Sequence, residues 1–444
     1  MEASQTNWLS ASDAARAIRD GAITSEQLVE ACLARIREAE PQVQAWHFLD
    51  PQHALAQARV RDEQHRAGAA AGPLHGVPVG LKDIIDTADM PTEDGTVLHA
   101  GRTPARDATV VAMLRAAGAV ILGKTVTTEC AYYYPGKTRN PHNPEHTPGG
   151  SSSGSAAAVA AGMVSLALGS QTNGSVIRPA SFCGVYGFKP THGLIPRHGI
   201  LRLSRTLDHV GLFSRTIEDL ALLAEALVGH DERDPDTRPR ARPQFVASAA
   251  QEPPLPPLLA FVKGPVWERA AEDTREAFAE LVGELGDRVV EVELPESAGA
   301  ALDWHRTIME TEMAANFDAE WEKGRDRLSE QLRSLMARGR ETRALDYQKA
   351  LARIALLNDG FAEIFERFDA ILTPAAAGTA PKGLGSTGDP AFCTLWTLLG
   401  TPALSLPLMR GANGLPLGAQ LVGPRHGDAR LLRTARWLAA RVQA

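Results

Sequence analysis

The sequence predicts an α/β fold in which helices cover a mostly buried β-sheet. Short apolar segments, typical of buried strands, alternate along the chain with segments whose apolar residues recur at helical spacing. The length of 444 residues allows a large core, and a composition of 44% hydrophobic and 22% charged residues is that of a globular protein.

The predicted elements begin with a capped helix. Residues 24–27 have the pattern of a capping box, and the apolar face that follows comprises Leu28, Val29, Cys32, Leu33 and Ile36. A second helix is predicted over 108–117. Short apolar strands are predicted at 77–81, 119–122 and 369–372.

The later part of the chain divides by composition. Residues 231–257 are rich in proline and charge, and we expect them to form a surface linker. Residues 258–365 have a helical and charged pattern, which predicts a peripheral helical region. The core of the fold would then comprise about 60–230 and about 366–444.

Charge and cysteine content narrow the functional classes. The net charge of −7 argues against nucleic acid or an anionic membrane as the main partner. No secretory signal is visible, and the apolar run at 156–168 is shorter than the ~20 residues that span a bilayer. Four scattered cysteines without a CxxC pair indicate reduced thiols of a cytoplasmic protein: Cys32, Cys130, Cys183 and Cys393.

Residues 149–190 are the most informative stretch, because two glycine-punctuated serine loops bracket a run of small apolar residues. Glycine lets backbone N–H groups and hydroxyls approach a ligand closely. A nearby match to the P-loop pattern at 118–125 is misleading, since its four middle residues are those of a strand. We therefore expect Lys124 to be a strand-end lysine with a structural partner.

A nucleophile elbow at 150–154, centred on Ser152, is an alternative explanation of the first loop. Such an elbow follows a strand, whereas the preceding residues 139–148 contain three prolines and no strand pattern. Asp389 and His426 stand in the order that an α/β-hydrolase esterase requires. An esterase that uses Ser152 therefore remains an alternative.

Lys82 ends the apolar strand predicted at 77–81. A lysine held away from water is neutral near pH 7 and can act as a general base for a serine nucleophile. For an isolated lysine, the commoner arrangement keeps the ammonium group in solvent. The serine loops that accompany Lys82 favour the base.

Taken together, these segments resemble the amidase signature family of serine hydrolases. Five family segments occur in order: GVPVGLKD with Lys82, GGSSSGS with Ser151, the small-residue run, TNGS with Ser175, and CGVYGFKP. The spacing of 24 positions from Ser151 to Ser175 matches the family's interval. The resemblance extends to residues 414–423 and implies one domain over 1–444, with a central mixed, twisted sheet covered by helices.

Residue by residue, the resemblance implies a Ser–Ser–Lys triad. Ser175 would be the nucleophile, Ser151 the bridging hydroxyl after a cis peptide bond, and Lys82 the terminal base. The oxyanion hole would consist of the backbone N–H groups of Thr172, Asn173, Gly174 and Ser175. Asn173 replaces the family's commoner glycine, and asparagine tolerates unusual φ values. The reaction would be hydrolysis of an amide through an acyl-enzyme, with no metal or organic cofactor.

The residues after Ser175 bear on the substrate. Arg178 stands three residues after it, as in the malonamidase-type branch, where the arginine holds a substrate carboxylate. Alternatively, Arg178 pairs with a buried acid and stiffens the loop. Tyr132, Tyr133 and Tyr134 could line an apolar acyl pocket suited to aryl amides, esters or carbamates, or belong to the core.

The expected partner is a small-molecule substrate, and the resemblance allows a homodimer. A second family member, the glutamine-hydrolysing component of the tRNA-dependent amidotransferase, remains an alternative, although its usual DTGGSIRQPA loop differs from QTNGSVIRPA at 171–180. A catalytically silent interaction protein is the third possibility, and the retained lysine and both serines argue against it.

Overall fold

The computed structural model describes residues 3–69 and 72–442, whose strands form one sheet of eleven. The strands are β1 (Trp46–Leu49), β2 (Pro78–Lys82), β3 (Val120–Thr125), β4 (Leu166–Gln171), β5 (Tyr186–Lys189), β6 (His209–Ser214), β7 (Leu259–Phe261), β8 (Val289–Glu291), β9 (Ala370–Pro374), β10 (Ala403–Arg410) and β11 (Pro416–Val422). Their order across the sheet is β1-β3-β2-β4-β6-β5-β10-β11-β9-β7-β8.

The sheet is mixed. Strand β2 runs parallel to β3 and β4, and β7 runs parallel to β8 and β9. The other neighbouring pairs are antiparallel. Strands β2, β3, β4 and β6 are buried along their whole length, as expected of strands covered on both faces.

Helices pack around this sheet. They are α1 (Ala11–Arg19), α2 (Ser25–Val43), α3 (Pro51–Arg66), α4 (Thr109–Ala116), α5 (Ser153–Ala160), α6 (Ile177–Cys183), α7 (Ile217–Leu227), α8 (Phe245–Ala250), α9 (Glu272–Leu285), α10 (Ala301–Asn316), α11 (Asp318–Gly324), α12 (Glu330–Glu341), α13 (Ala344–Arg367), α14 (Ala391–Leu398) and α15 (Asp428–Val442). The predicted α/β fold with a mixed sheet under helices is confirmed.

Several local predictions are also confirmed. Thr24 and Gln27 form the capping box of α2, each side chain accepting the other's backbone N–H. The P-loop match lies in buried β3, and Lys124 at its end donates hydrogen bonds to the Ile85 carbonyl and to Thr92 Oγ1. All four cysteines are buried and free.

The small residues of α5 are a packing requirement. A Cβ on Gly154 would lie 2.3 Å from the Ala45 carbonyl oxygen and 2.3 Å from the Val126 nitrogen. The helix therefore sits directly against the backbone of the loop after β3, with no room for a side chain. This contact fixes the position of the first serine loop, which immediately precedes α5.

The predicted linker contains a packed helix, and the region 258–365, predicted to be helical and peripheral, also contributes strands β7 and β8 to the sheet. Helix α8 lies within 231–257 and buries Phe245, because α8 packs against α7 and α15. Helices α10 and α12 pack on each other, and α10 also contacts α13 and α14. None of the helices in the described part of the chain is long and apolar enough to cross a membrane.

Candidate active site

Lys82 lies at the carboxyl end of β2, next to the end of β4. Its side chain is fully buried, and its Nζ atom is 2.8 Å from Ser151 Oγ and 2.8 Å from Ser170 Oγ. Burial lowers the pKa of Lys82 to about 7, and the Asp208 carboxylate opposes this shift only in part. The amine is therefore largely neutral slightly above neutral pH, while remaining bonded to two hydroxyls.

Ser151 follows the tight turn that opens the first serine loop. Gly149 has φ of +82°, and a Cβ there would lie 2.8 Å from Pro179 Cα, so glycine meets both a conformational and a spatial requirement. The Gly150–Ser151 peptide bond is cis, which is the geometry that the resemblance implies. The Ser151 side chain is 2% exposed and faces Lys82.

Ser175 occupies the turn between β4 and α6. The side chain of Gln171 holds this turn, because its Oε1 accepts the backbone N–H groups of Val176 at 2.8 Å and Ile177 at 3.0 Å. Ser175 is 7% exposed, and its hydroxyl makes no hydrogen bond within residues 3–69 and 72–442. Within the predicted triad, Lys82 and Ser151 are therefore hydrogen-bonded, whereas Ser151 and Ser175 are not.

The four N–H groups predicted to form the oxyanion hole belong to Thr172, Asn173, Gly174 and Ser175. None of them donates to an acceptor in the described part of the chain. Asn173 does not adopt a positive φ. Its side chain instead donates to Tyr133 Oη at 3.0 Å and accepts from Thr394 Oγ1 at 2.7 Å.

Arg178 is 1% exposed and lies on the first turn of α6. Its Nη2 atom donates to the Gly150 carbonyl at 2.7 Å and to Thr387 Oγ1 at 3.1 Å. The Nε and Nη1 atoms are buried without a partner among the described residues, and the guanidinium forms no salt bridge there. Arg178 therefore has no acid partner among the described residues, whereas its contact with the Gly150 carbonyl is compatible with a role in holding the first serine loop. Burial lowers its pKa.

The three consecutive tyrosines have different environments. Tyr133 reaches the serine loop through its contact with Asn173, and its ring stacks on Tyr132 with centroids 4.3 Å apart. Tyr132 is buried, and burial raises the pKa of its hydroxyl. Tyr134 is 50% exposed. Tyr133 is thus the one of the three that contacts a predicted oxyanion residue.

The residues that the elbow alternative requires do not form a triad around Ser152. Ser152 Oγ is buried and hydrogen-bonds the backbone of Ser170 at 3.2 Å, both as donor and as acceptor. Asp389 pairs with Arg269, and His426 contacts Arg240. No hydrogen bond links Ser152 to either Asp389 or His426 in the described residues.

Three groups that contact this site were not predicted from the sequence. Ser170 is the second partner of Lys82, Asp208 Oδ1 accepts the Thr172 hydroxyl at 2.7 Å, and His305 Nε2 is 2.8 Å from the Thr172 carbonyl oxygen. Ser170 precedes the second serine loop directly and could have been suspected. No local signal distinguishes Asp208 or His305, because the fold brings them in from distant segments.

Known proteins are similar to this chain along nearly its whole length. Residues 27–432 match the Amidase family. This chain belongs to the amidase family, and it is an amidase-type enzyme. It is 35% identical to a glutamyl-tRNA(Gln) amidotransferase subunit from Chloroflexus aggregans, over 97% of this chain and 95% of that protein. It is also 35% identical to the putative amidase AmiD of Mycobacterium tuberculosis, over 96% and 92%.

Solved structures of amidases superpose on nearly the whole chain. Native peptide amidase from Stenotrophomonas maltophilia has a TM-score of 0.86 and 30% identity, covering 98% of this chain and 97% of that one. A 6-aminohexanoate cyclic dimer hydrolase has a TM-score of 0.85 and 26% identity, covering 99% and 98%. This chain therefore shares the fold of these enzymes over nearly its whole length.

Proposed function

We propose that this amidase hydrolyses the C–N amide bond of a small molecule through an acyl-enzyme on Ser175. Lys82 is the terminal base, and Ser151 transfers the proton between Lys82 and Ser175. The observation that carries the proposal is the 2.8 Å contact between Lys82 Nζ and Ser151 Oγ, made by a fully buried amine whose pKa is about 7.

In the acylation step, the lone pair of neutral Lys82 accepts the Ser151 proton while an N–H of the same amine donates to Ser170 Oγ. Ser151 accepts the Ser175 proton as Ser175 Oγ bonds to the substrate carbonyl carbon. The relay requires Ser175 Oγ to reach hydrogen-bond distance of Ser151, and such contacts commonly tighten when substrate binds. The N–H groups of 172–175 stabilise the oxyanion.

Collapse of the tetrahedral intermediate breaks the C–N bond. The proton returns from Lys82 through Ser151 to the leaving nitrogen, so ammonia or an amine departs and the acyl group stays on Ser175. Water then attacks the acyl carbon and loses its proton along the same relay. A carboxylic acid is released, and the three side chains regain their starting protonation.

The environment of Arg178 favours a substrate that carries a carboxylate, as in the malonamidase-type branch. Its Nε and Nη1 donors are buried without partners among the described residues, and an unpaired buried charged donor is costly unless a ligand satisfies it. A Cβ on Gly174 would lie 3.3 Å from Nη1, so this donor borders the oxyanion loop. Small acidic amides are the favoured class, and esters and carbamates would follow the same chemistry.

The decisive test is the Ser175→Ala enzyme, assayed on malonamate-like, aliphatic and aromatic amides and treated with a fluorophosphonate probe. We expect no turnover, no covalent label and an unchanged melting temperature. Hydrolysis at the wild-type rate, or labelling of the Ser175→Ala enzyme, would refute the assignment. Mass spectrometry of the labelled wild-type peptide identifies the modified serine directly.

A second candidate is a glutamine-hydrolysing component of an amidotransferase, favoured by the 35% identity to the Chloroflexus aggregans protein. The two functions differ in substrate and in assembly. Ammonia release from glutamine that increases with a captured partner protein would favour this candidate. Full activity on small amides by the purified chain, as a monomer or homodimer by light scattering, would favour the hydrolase.

A further inference from the structure

The oxyanion loop is held by its carbonyl groups. A trans peptide unit is planar, so its C=O and N–H point in opposite directions. The only cis peptide bond in the described residues is Gly150–Ser151, so the units of the 172–175 loop are trans. A donor that holds one carbonyl in this loop therefore also fixes the direction of the next residue's N–H.

Of the four carbonyls that precede a predicted oxyanion N–H, those of Thr172, Asn173 and Gly174 each have a hydrogen-bond partner. Gln171, the last residue of β4, is paired in the sheet with His209. The Thr172 carbonyl oxygen is 2.8 Å from His305 Nε2. The Asn173 carbonyl accepts from Thr397 Oγ1 at 2.5 Å, and the Gly174 carbonyl accepts from the Arg178 backbone N–H at 3.1 Å.

Two of these three carbonyl contacts use side chains, and both side chains come from helices distant in sequence. His305 lies on α10 and Thr397 on α14, and both side chains are buried. Because a carbonyl oxygen only accepts, His305 Nε2 carries the proton of the neutral imidazole. Burial keeps the ring neutral by lowering its pKa to about 4.

We propose that His305 and Thr397 are positioning residues that aim the Asn173 and Gly174 N–H groups at the oxyanion. The proposal rests on the proposed function of the 172–175 loop. Helix α10 would then contribute to catalysis, because its His305 fixes the direction of the Asn173 N–H. Both side chains act through the peptide units that they hold, and Thr397 Oγ1 also accepts a hydrogen bond from Gln171 Nε2 at 2.9 Å on the same turn.

The test compares His305→Leu with His305→Gln, and Thr397→Val with Thr397→Ser. Leucine and valine remove the donor, whereas glutamine and serine retain one at a similar distance from the backbone. The first readout is the second-order rate of fluorophosphonate labelling, in which Ser175 Oγ bonds to phosphorus, fluoride leaves and the serine proton passes to the base. The second is kcat and KM on the best amide of the panel.

We expect His305→Leu and Thr397→Val to lower kcat and the labelling rate by about 10- to 100-fold, with little change in KM, because a misdirected donor weakens transition-state binding. Glutamine and serine should restore most of the rate. Thr307→Val is the matched control, since Thr307 Oγ1 donates to the Asp303 carbonyl within α10, away from the oxyanion loop. It should label at the wild-type rate.

Wild-type labelling rates in both His305→Leu and Thr397→Val would overturn the proposal. So would a loss that glutamine and serine fail to restore, because that loss would reflect packing. If His305→Leu does not fold, the Thr397→Val and Thr397→Ser pair decides. Ser175→Ala is run in parallel: if it is inert while both variants behave as wild type, the positioning role fails and the acyl-enzyme stands.

Discussion

The Nη2 atom of Arg178 lies 2.7 Å from the carbonyl oxygen of Gly150, the residue that the cis peptide bond joins to Ser151. One buried arginine thus contacts the residue that precedes Ser151 and leaves two of its donors, Nε and Nη1, unpartnered among the described residues. A substrate carboxylate bound to those donors would be held by the same side chain that supports the first serine loop.

Replacing Arg178 should therefore have two separable effects. In Arg178→Ala, loss of the Gly150 contact should lower kcat/KM for every amide, and loss of carboxylate binding should lower it further for acidic amides. We expect the acidic amides to lose at least about tenfold more than neutral amides of similar size, as a charged hydrogen bond requires.

A matched variant, Thr387→Val, removes the other partner of Nη2 and leaves the guanidinium in place. It should reduce activity on acidic and neutral amides equally. Equal losses for both substrate groups in Arg178→Ala would show that the arginine only supports the loop.

The pH dependence of kcat/KM should report Lys82. Its pKa is lowered to about 7 by burial, and the deprotonated amine is the active form. Activity should therefore rise with pH through about 7 and fall about tenfold for each pH unit below it. Initial rates at constant ionic strength measure the profile.

Lys189 provides a control, because burial also lowers its pKa to about 7 while its Nζ donates to the Thr401 carbonyl instead of a serine. The midpoint of the profile should be the same in Lys189→Met. A flat profile in the wild type, or a midpoint that moves in Lys189→Met, would contradict the assignment of Lys82.

The adjacent serines should respond differently to alanine. Ser151→Ala removes the hydroxyl bonded to Lys82, and we expect kcat to fall by about 10³-fold or more, because no other group joins the base to Ser175. Ser152→Ala removes a hydroxyl bonded to the Ser170 backbone and should keep its fluorophosphonate label. Loss of the label in Ser152→Ala alone would favour the elbow.

A partly buried ionic cluster of His99, Asp94 and Glu320, the last of which lies on α11, should make stability depend on pH. His99 Nδ1 is 2.8 Å from Asp94 Oδ2 and its Nε2 is 3.1 Å from Glu320 Oε1. The hydrogen bond to Asp94, followed by that to Glu320, raises the pKa of His99 to about 9. Since the folded state binds this proton more tightly, the stabilisation is complete below about 6.5 and disappears as the pH rises through about 9.

Urea unfolding of wild type and His99→Leu at about pH 6 and about pH 10 tests this dependence. We expect His99→Leu to lower the free energy of unfolding by about 1 kcal/mol or more at the lower pH, and by less at the higher pH. His53→Leu, at a more exposed pair with Asp89, should change it little at either pH. An equal or larger destabilisation at the higher pH would exclude the charged pair.

Several features of this architecture are determined by residues close to one another in the sequence. The capping box at Thr24, the strand that ends at Lys82 and the two serine loops are each specified by residues within a few positions of one another. The α/β class follows from the alternation of short apolar segments with segments whose apolar residues recur at helical spacing. The candidate base and both serines were predicted from the resemblance of these segments to the amidase signature family, which depends on motifs that are contiguous in the sequence.

What the sequence left open depends on contacts between distant segments. Residues 175–180 alone do not determine whether Arg178 forms a salt bridge. In the folded chain its Nη2 atom instead donates to the Gly150 carbonyl and to Thr387 Oγ1. His305 and Thr397 carry no local signal, because their partners lie more than a hundred residues away. Local patterns determine which groups the chain can present, whereas hydrogen-bond partners and burial, and with them the Lys82 pKa, exist only once the sheet and its helices are packed.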